Sequence, residues 1–187
     1  MRFIAATIAV LMLTTGLASA VEVKEKGAYM GAALGSTEYD QDNLVTGPNV
    51  DEKDGGFQLW GGYKFFKWFA VEGRASYLGE YTFGPVKSEY TALTGHAVFI
   101  LPFGQSGWDI YGQLGLGLVN QNVSGLGASG DDTGSTGTAG LGVRWTPAPA
   151  WTISLGVDAW AWELETISGS KVDASVAMGR LGLQYNF

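Results

Sequence analysis

Stretches in which apolar side chains alternate with small or polar ones recur eight times along the chain. A period of two residues places alternate side chains on opposite faces of a β-strand, whereas a helix repeats every 3.6 residues. The eight stretches are 27–36, 56–66, 68–79, 89–101, 108–120, 135–146, 151–163 and 173–187. After residue 20 no stretch shows the helical period, so the pattern predicts an all-β chain of eight strands.

The connections between these strands also alternate in length. Short turns at 66–67, 102–107 and 147–150 join the second strand to the third, the fourth to the fifth and the sixth to the seventh. Long polar segments at 37–55 and 121–134 join the first strand to the second and the fifth to the sixth. Short turns at one end and long loops at the other are typical of an antiparallel up-and-down barrel. We see no domain boundary and no fixed-period repeat.

The residues that alternate with the apolar ones, here called the small register, decide which face of the barrel is inside. In a soluble barrel of lipocalin type the apolar face would be internal, and the outer face would carry several Lys and Glu per strand. Here that register is mostly small, and its members include Gly115, Gly117, Gly140, Gly142, Ser154 and Gly156. Small side chains suit the narrow lumen of an eight-stranded barrel. The apolar register ends in aromatic residues beside the short turns: Trp108, Trp145, Trp151, Tyr185 and Phe187. This girdle favours an eight-stranded antiparallel up-and-down transmembrane β-barrel.

The first 20 residues have the composition of a secretory signal peptide. Arg2 precedes an apolar run at 3–13, and Ala18 and Ala20 form an A-x-A cleavage site. Eleven apolar residues are too few for a membrane-spanning helix. We therefore expect a signal peptide at 1–20 and a barrel domain at 21–187.

Charge and cysteine content exclude several classes of function. Removing Arg2 leaves 10 of the 11 basic residues against 18 acidic ones, a net charge of −8. Nucleic-acid binding needs a basic face, so we expect no nucleic-acid partner. The chain contains no cysteine, which excludes disulfides and thiolate metal sites.

The last predicted strand, 173–187, must pair with the first, because an unpaired edge is not tolerated in lipid. Its apolar register finishes with Leu183, Tyr185 and Phe187. This pattern resembles the C-terminal recognition signal of bacterial outer-membrane proteins, which the barrel-assembly machinery reads. We expect these three residues to act as an assembly signal.

Several segments together resemble the small β-barrel family typified by the membrane domain of outer-membrane protein A. The matching segments are 29–35, 57–66, 69–79, 112–117, 137–145, 155–160 and 182–187. The resemblance implies the outer membrane of a Gram-negative bacterium, extracellular loops, periplasmic termini and a lumen narrowed by charges. Glu72 falls where the family carries a lumenal glutamate, and Asp158 where it often carries another acid. Arg144 and Ala33 depart from the prototype, which has an acid and a base at these positions.

Ionisable residues in the small register form the candidate lumenal charge network. They are Lys64, Glu72, Arg74, His96, Asp109, Arg144, Asp158 and Arg180. Trp160 and Trp162 lie in the same register toward the loop end. An unpaired ion in a water-poor lumen is costly, so we expect these groups to pair, with Arg144 as the partner of Glu72. Such pairs either hold the barrel shut or line a narrow, gated path.

Other motifs carry little chemistry. The stretch 125–130 matches G-x-G-x-x-G, but a strand follows it where a dinucleotide site needs a helix, so we expect a loop. The acidic loop beginning at Asp40 has Val45 and Asp51 where a calcium loop needs glycine and glutamate. Barrels that resemble lipid A deacylases carry a His-x-Ser pair, whereas Val98 stands two residues after His96. We predict no catalytic, cofactor or metal site, and no enzymatic activity.

The sequence thus predicts an integral outer-membrane barrel with a structural, envelope-integrity or surface-interaction role. Two alternatives stay open, a narrow porin-like diffusion channel for small solutes and an adhesin that works through loops 37–55 and 121–134. The expected partners are outer-membrane lipid, lipopolysaccharide and, during biogenesis, the barrel-assembly machinery. Loose divalent-cation bridges from the acidic loops to lipopolysaccharide are one possible contact. We expect a monomer.

Overall fold

A computed structural model describes residues 26–41, 50–51, 53–83, 86–104, 106–125, 128–165 and 171–187. The predicted signal peptide lies outside these residues. The strands are β1 (Gly27–Gln41), β2 (Val50–Asp51), β3 (Lys53–Phe66), β4 (Phe69–Phe83), β5 (Val86–Pro102), β6 (Trp108–Gly125), β7 (Ala128–Ala148), β8 (Trp151–Glu165) and β9 (Lys171–Asn186). No helix in the described part of the chain is long and apolar enough to cross a membrane.

Eight long strands close into one antiparallel barrel. Each strand from β3 to β9 pairs with the next along the chain, and β1 pairs with both β3 and β9. At the seam Tyr29 lies opposite Asn186, and the amide of Phe187 donates to the carbonyl of Ala28 at 3.0 Å. The two-residue β2 pairs only with the far end of β4. The predicted eight-stranded up-and-down barrel is therefore confirmed.

The strands are longer than the hydrophobic pattern predicts. β6 continues to Gly125 and β7 begins at Ala128, with these two residues opposite each other, so most of the predicted loop 121–134 is paired strand. The predicted loop 125–130 is correspondingly reduced. β1 and β3 also pair as far as Glu38 and Lys53. The pattern missed these extensions because side chains beyond the lipid are polar on both faces, while the backbone ladder continues unchanged.

Apolar side chains form a continuous outer band. On β6 the band runs from Trp108 to Leu118, and the lumenal residues between them are smaller or buried. Ten residue steps cover about 34 Å along a strand, or roughly 25 Å of height at the usual tilt, which matches the lipid-facing band of outer-membrane barrels. At the short-turn end Trp108 stacks on Trp145 at 5.9 Å, and Trp151 meets Tyr185 edge-on at 5.0 Å.

A β-bulge in β4 changes which residues face the lumen above the lipid. The register with β5 shifts between Tyr77 and Gly79, and Gly79 has a φ of 106°. Because of this shift Leu78 and Tyr81 are both fully buried, although they are three residues apart. Asp54 anchors the bulge, since its carboxylate accepts from the amide of Glu80 at 2.6 Å.

Replacing Gly79 with alanine is expected to lower the free energy of unfolding by roughly 1–3 kcal/mol. The backbone there is strained for any residue with a Cβ, and that Cβ would lie 2.9 Å from the Cβ of Asp54. Gly73→Ala on the same strand is the control, because no atom lies within 4 Å of its added Cβ. Urea unfolding in lipid vesicles measures both variants, and equal midpoints would contradict the proposed strain.

Candidate functional site

The lumen is filled in three layers. At the extracellular end an apolar layer contains Leu78, Tyr81, Tyr90, Ala92, Val119, Trp160, Trp162, Ala174, Val176 and Met178. Toward the periplasm a second buried cluster contains Tyr29, Ala33, Trp60, Ala70, Val98, Ile100 and Tyr111. Buried ionic and amide side chains lie between these two clusters and among the residues of the second one. The candidate site is this middle layer.

Asp158 on β8 is the centre of the ionic layer. Its Oδ2 accepts from Arg74 Nη1 at 2.8 Å and from Arg180 Nε at 2.7 Å. Gln58 Nε2 donates to the same oxygen at 3.2 Å, and Gln113 Nε2 donates to Oδ1 at 2.9 Å. Asp158 is only 1% exposed. One carboxylate therefore joins side chains from β3, β4, β6 and β9 across the lumen.

Glu72 extends this layer to the first strand. Its Oε2 accepts from Arg74 Nη2 at 2.6 Å, and its Oε1 accepts from the hydroxyl of Tyr29 at 2.8 Å. Arg74 thus lies between two carboxylates, and its Nη2 also donates to Gln113 Oε1 at 2.9 Å. The expected Glu72–Arg144 ion pair is absent from the described contacts. Arg74 takes that place because it lies two residues away on the same strand and the same face.

Arg144 forms a separate ion pair with Asp109. Its Nε donates to Asp109 Oδ1 at 2.7 Å, and both residues are buried. The two are direct cross-strand neighbours on β6 and β7, the arrangement in which opposite charges stabilise a sheet. Arg144 thus stands where the prototype of the family carries an acid, and in this chain it lies opposite Asp109 of the adjacent strand.

Two aromatic rings lie against the three guanidinium groups. Trp60 is 5.6 Å from Arg74 and 5.3 Å from Arg180, measured from each guanidinium carbon to the ring centroid. Tyr111 is 5.0 Å from Arg144 and 5.7 Å from Arg180, and its hydroxyl accepts from Arg180 Nη2 at 2.9 Å. Cation–π contacts of this kind strengthen when they are desolvated. These two rings and the two glutamines were not predicted from the sequence, although all four lie in the small register.

His96 and Lys64 lie in the lumen but outside these ion pairs. His96 is buried, with Nε2 2.7 Å from Thr94 Oγ1 and Nδ1 3.4 Å from Thr138 Oγ1. Lys64 is partly exposed near the periplasmic end and has no carboxylate within 4.0 Å among the described residues. Within the same residues no group of three or more acids and histidines could hold a metal ion.

Little free volume is left among these side chains. The cavity between Trp60, Tyr111 and the three arginines measures about 10 Å³. That is room for about one water-sized particle. A Cβ at Gly140 would collide with Asp158 and Gln113, so the glycines of the lumenal register are needed for the large polar side chains to fit.

Comparison with known proteins shows where this architecture occurs. The family model of the outer membrane protein beta-barrel domain matches residues 6–187. No match was found among curated protein sequences.

Three solved structures resemble the chain at low sequence identity. Neisserial surface protein A has a TM-score of 0.70 at 13% identity, over 88% of this chain and 99% of that one. The attachment invasion locus protein Ail of Yersinia pestis has a TM-score of 0.57 at 20% identity, over 88% of this chain and 100% of that one. The N-terminal barrel domain of Pseudomonas aeruginosa OprF has a TM-score of 0.50 at 19% identity, over 88% and 100%. These likenesses support the fold.

Proposed function

This chain belongs to the outer membrane protein β-barrel domain family, and we propose that it acts in the outer membrane as a closed barrel with a structural or surface-interaction role. The family match confirms the resemblance seen in the sequence, and with it the location in the outer membrane of a Gram-negative bacterium. Its contribution to the cell is envelope integrity and the presentation of extracellular strand ends to other molecules. Transport through the lumen is not part of this role.

The buried ion network is the observation that carries the proposal. Glu72, Arg74, Asp158 and Arg180 form one chain of ion pairs across the lumen, with contacts of 2.6–2.8 Å. Opening a path would separate buried charges, and breaking a buried pair costs about 3–5 kcal/mol. The apolar layer above adds a second obstruction of packed aromatic rings, in which Tyr90 lies 5.5 Å from Trp162. Both layers favour a plug over a pore.

The extracellular end is predominantly acidic. Among the side chains that the structure describes above the apolar band, the charged ones are Glu38, Asp54, Glu80, Glu89, Asp131, Asp132 and a single base, Lys87. Lys87 is already paired with Glu80 at 2.7 Å. Ail has been solved with the heparin analogue sucrose octasulfate, a polyanion. An acidic rim repels such ligands, so we propose outer-membrane lipid and lipopolysaccharide, bridged by divalent cations, as the partners of this monomeric barrel.

The wild-type protein is expected to show no steady unitary conductance in planar lipid bilayers. Glu72→Ala should add frequent brief openings, because it removes one of the two carboxylates that hold Arg74 in place. The matched control is Glu80→Ala, which removes an exposed carboxylate paired at 2.7 Å outside the lumen and should stay silent.

A large and stable wild-type conductance would overturn the closed barrel and support the narrow diffusion channel. If wild type is silent and Glu72→Ala is equally silent with unchanged melting, the barrel is closed by something other than the ion pairs.

A further inference from the structure

We propose that the small cavity in the ionic layer binds one monovalent anion of about the size of chloride. The cavity lies between Arg74, Arg144 and Arg180, with Glu72 as the one carboxylate on its wall. The cavity has room for one small particle, so an anion with several heavy atoms, such as sulfate, phosphate or an organic acid, would not fit. This inference goes beyond the closed-barrel role and does not depend on it.

Two of the arginines that line the cavity have an N–H donor without a partner. Arg144 Nη2 and Arg74 Nε are buried and have no acceptor among the described residues. Both residues are at least 95% buried, so bulk solvent does not reach their guanidinium groups. An arginine carries five N–H donors and no acceptor. These two nitrogens therefore need an electron-rich partner inside the barrel.

Each acceptor oxygen of Glu72, Gln113 and Gln184 on the wall already receives one hydrogen bond. Each oxygen of Glu72 accepts one hydrogen bond, from Tyr29 and from Arg74. The oxygen of Tyr111 accepts from Arg180, and that of Ser154 accepts from Arg180 at 3.4 Å, which leaves the hydroxyl protons of both as further donors. A water molecule would have to donate its two hydrogen bonds to oxygens that already accept one, whereas a halide accepts from the free N–H groups and donates none. The set of donors thus favours an anion over water.

The charge count points the same way. Glu72, Asp109 and Asp158 match the three arginines in number, and Lys64 adds a fourth positive charge at the periplasmic end of the lumen. A positively charged, partly enclosed space attracts an anion, and Lys64 lies on the side from which one would enter. One bound chloride brings the lumenal total to zero.

The test compares thermal unfolding of protein purified from outer membranes in sodium chloride and in sodium gluconate at equal ionic strength. We expect the melting temperature to rise with chloride along a saturating curve, since a ligand that binds only the folded state stabilises it. Bromide should replace chloride, and sulfate should not. Arg144→Gln should abolish the response, whereas Lys87→Gln, which changes an exposed extracellular base, should keep it.

A crystal grown in sodium bromide provides a readout that needs no variant. An anomalous peak between Arg74, Arg144 and Arg180 is the expected result, also if Arg144→Gln fails to fold. Water without anomalous signal at that position, or identical melting in chloride and gluconate, would overturn the site.

Discussion

Asp158→Ala is expected to lower the free energy of unfolding by roughly 3–5 kcal/mol, the largest loss from any single lumenal charge. Asp158 is the only described carboxylate that contacts two guanidinium groups, those of Arg74 and Arg180. Without it Arg180 keeps only the neutral oxygens of Tyr111 and Ser154, and Arg74 keeps Glu72 as its one described counterion. A buried cation with no counterion is the costly state, and the alanine variant creates one.

Two further variants separate charge from ordinary packing. Asp158→Asn keeps the size of the side chain and one acceptor oxygen, so its loss should lie between wild type and alanine. Glu80→Ala breaks the exposed pair with Lys87, whose length of 2.7 Å equals that of the Asp158–Arg180 pair, and should leave the free energy of unfolding nearly unchanged. Urea unfolding in lipid vesicles, followed by tryptophan fluorescence, compares all three. Equal losses at positions 80 and 158 would show that burial does not control these ion pairs.

The sequence allowed the barrel to be predicted because lipid and lumen impose opposite demands on alternate residues. Leu114 and Leu116 face lipid, and Gly115 between them lies against His96. Eight such stretches, together with the alternating lengths of their connections, leave one simple closed arrangement. The pairing of β1 with β9 followed from the cost of an open edge in lipid.

The ion pairs could not be read in the same way. Alternation shows that Glu72 and Arg144 face inward, but it does not give the height of one strand relative to a strand across the lumen. The Asp109–Arg144 pair depends on the register between β6 and β7, which a hairpin at the extracellular end sets. Because that hairpin has polar residues on both faces, its turn could not be located from hydrophobicity.

The bulge at Gly79 was hidden for a related reason. Strict alternation from Tyr77 places Tyr81 on the outer face, whereas the structure buries it fully against Tyr90 at 5.9 Å. The shift occurs above the apolar band, where the outer face no longer meets lipid while the inner face packs in the apolar layer, so apolar residues no longer mark the outer side. A lone glycine in a strand is consistent with a bulge but does not establish one.

Phe187→Ala is expected to reduce the amount of folded barrel in the outer membrane several-fold, while the purified variant still refolds in detergent. The ring is 56% exposed and meets Tyr185 edge-on at 5.1 Å, so its removal should cost the folded state only about 1 kcal/mol. A large effect in cells would then arise before folding is complete, at the stage where we propose that the assembly machinery reads Leu183, Tyr185 and Phe187.

The matched control for this variant is Phe65→Ala. Phe65 also ends an aromatic-x-aromatic pair on the periplasmic side, 5.0 Å edge-on from Tyr63, and is 44% exposed, but it lies far from the C-terminus. Heat-modifiable mobility on gels of outer-membrane fractions measures folded protein for both variants. If the two lose folded protein equally, the effect belongs to the aromatic girdle in general. A loss confined to Phe187→Ala, with equal refolding in detergent, requires that the terminal residue be read during assembly.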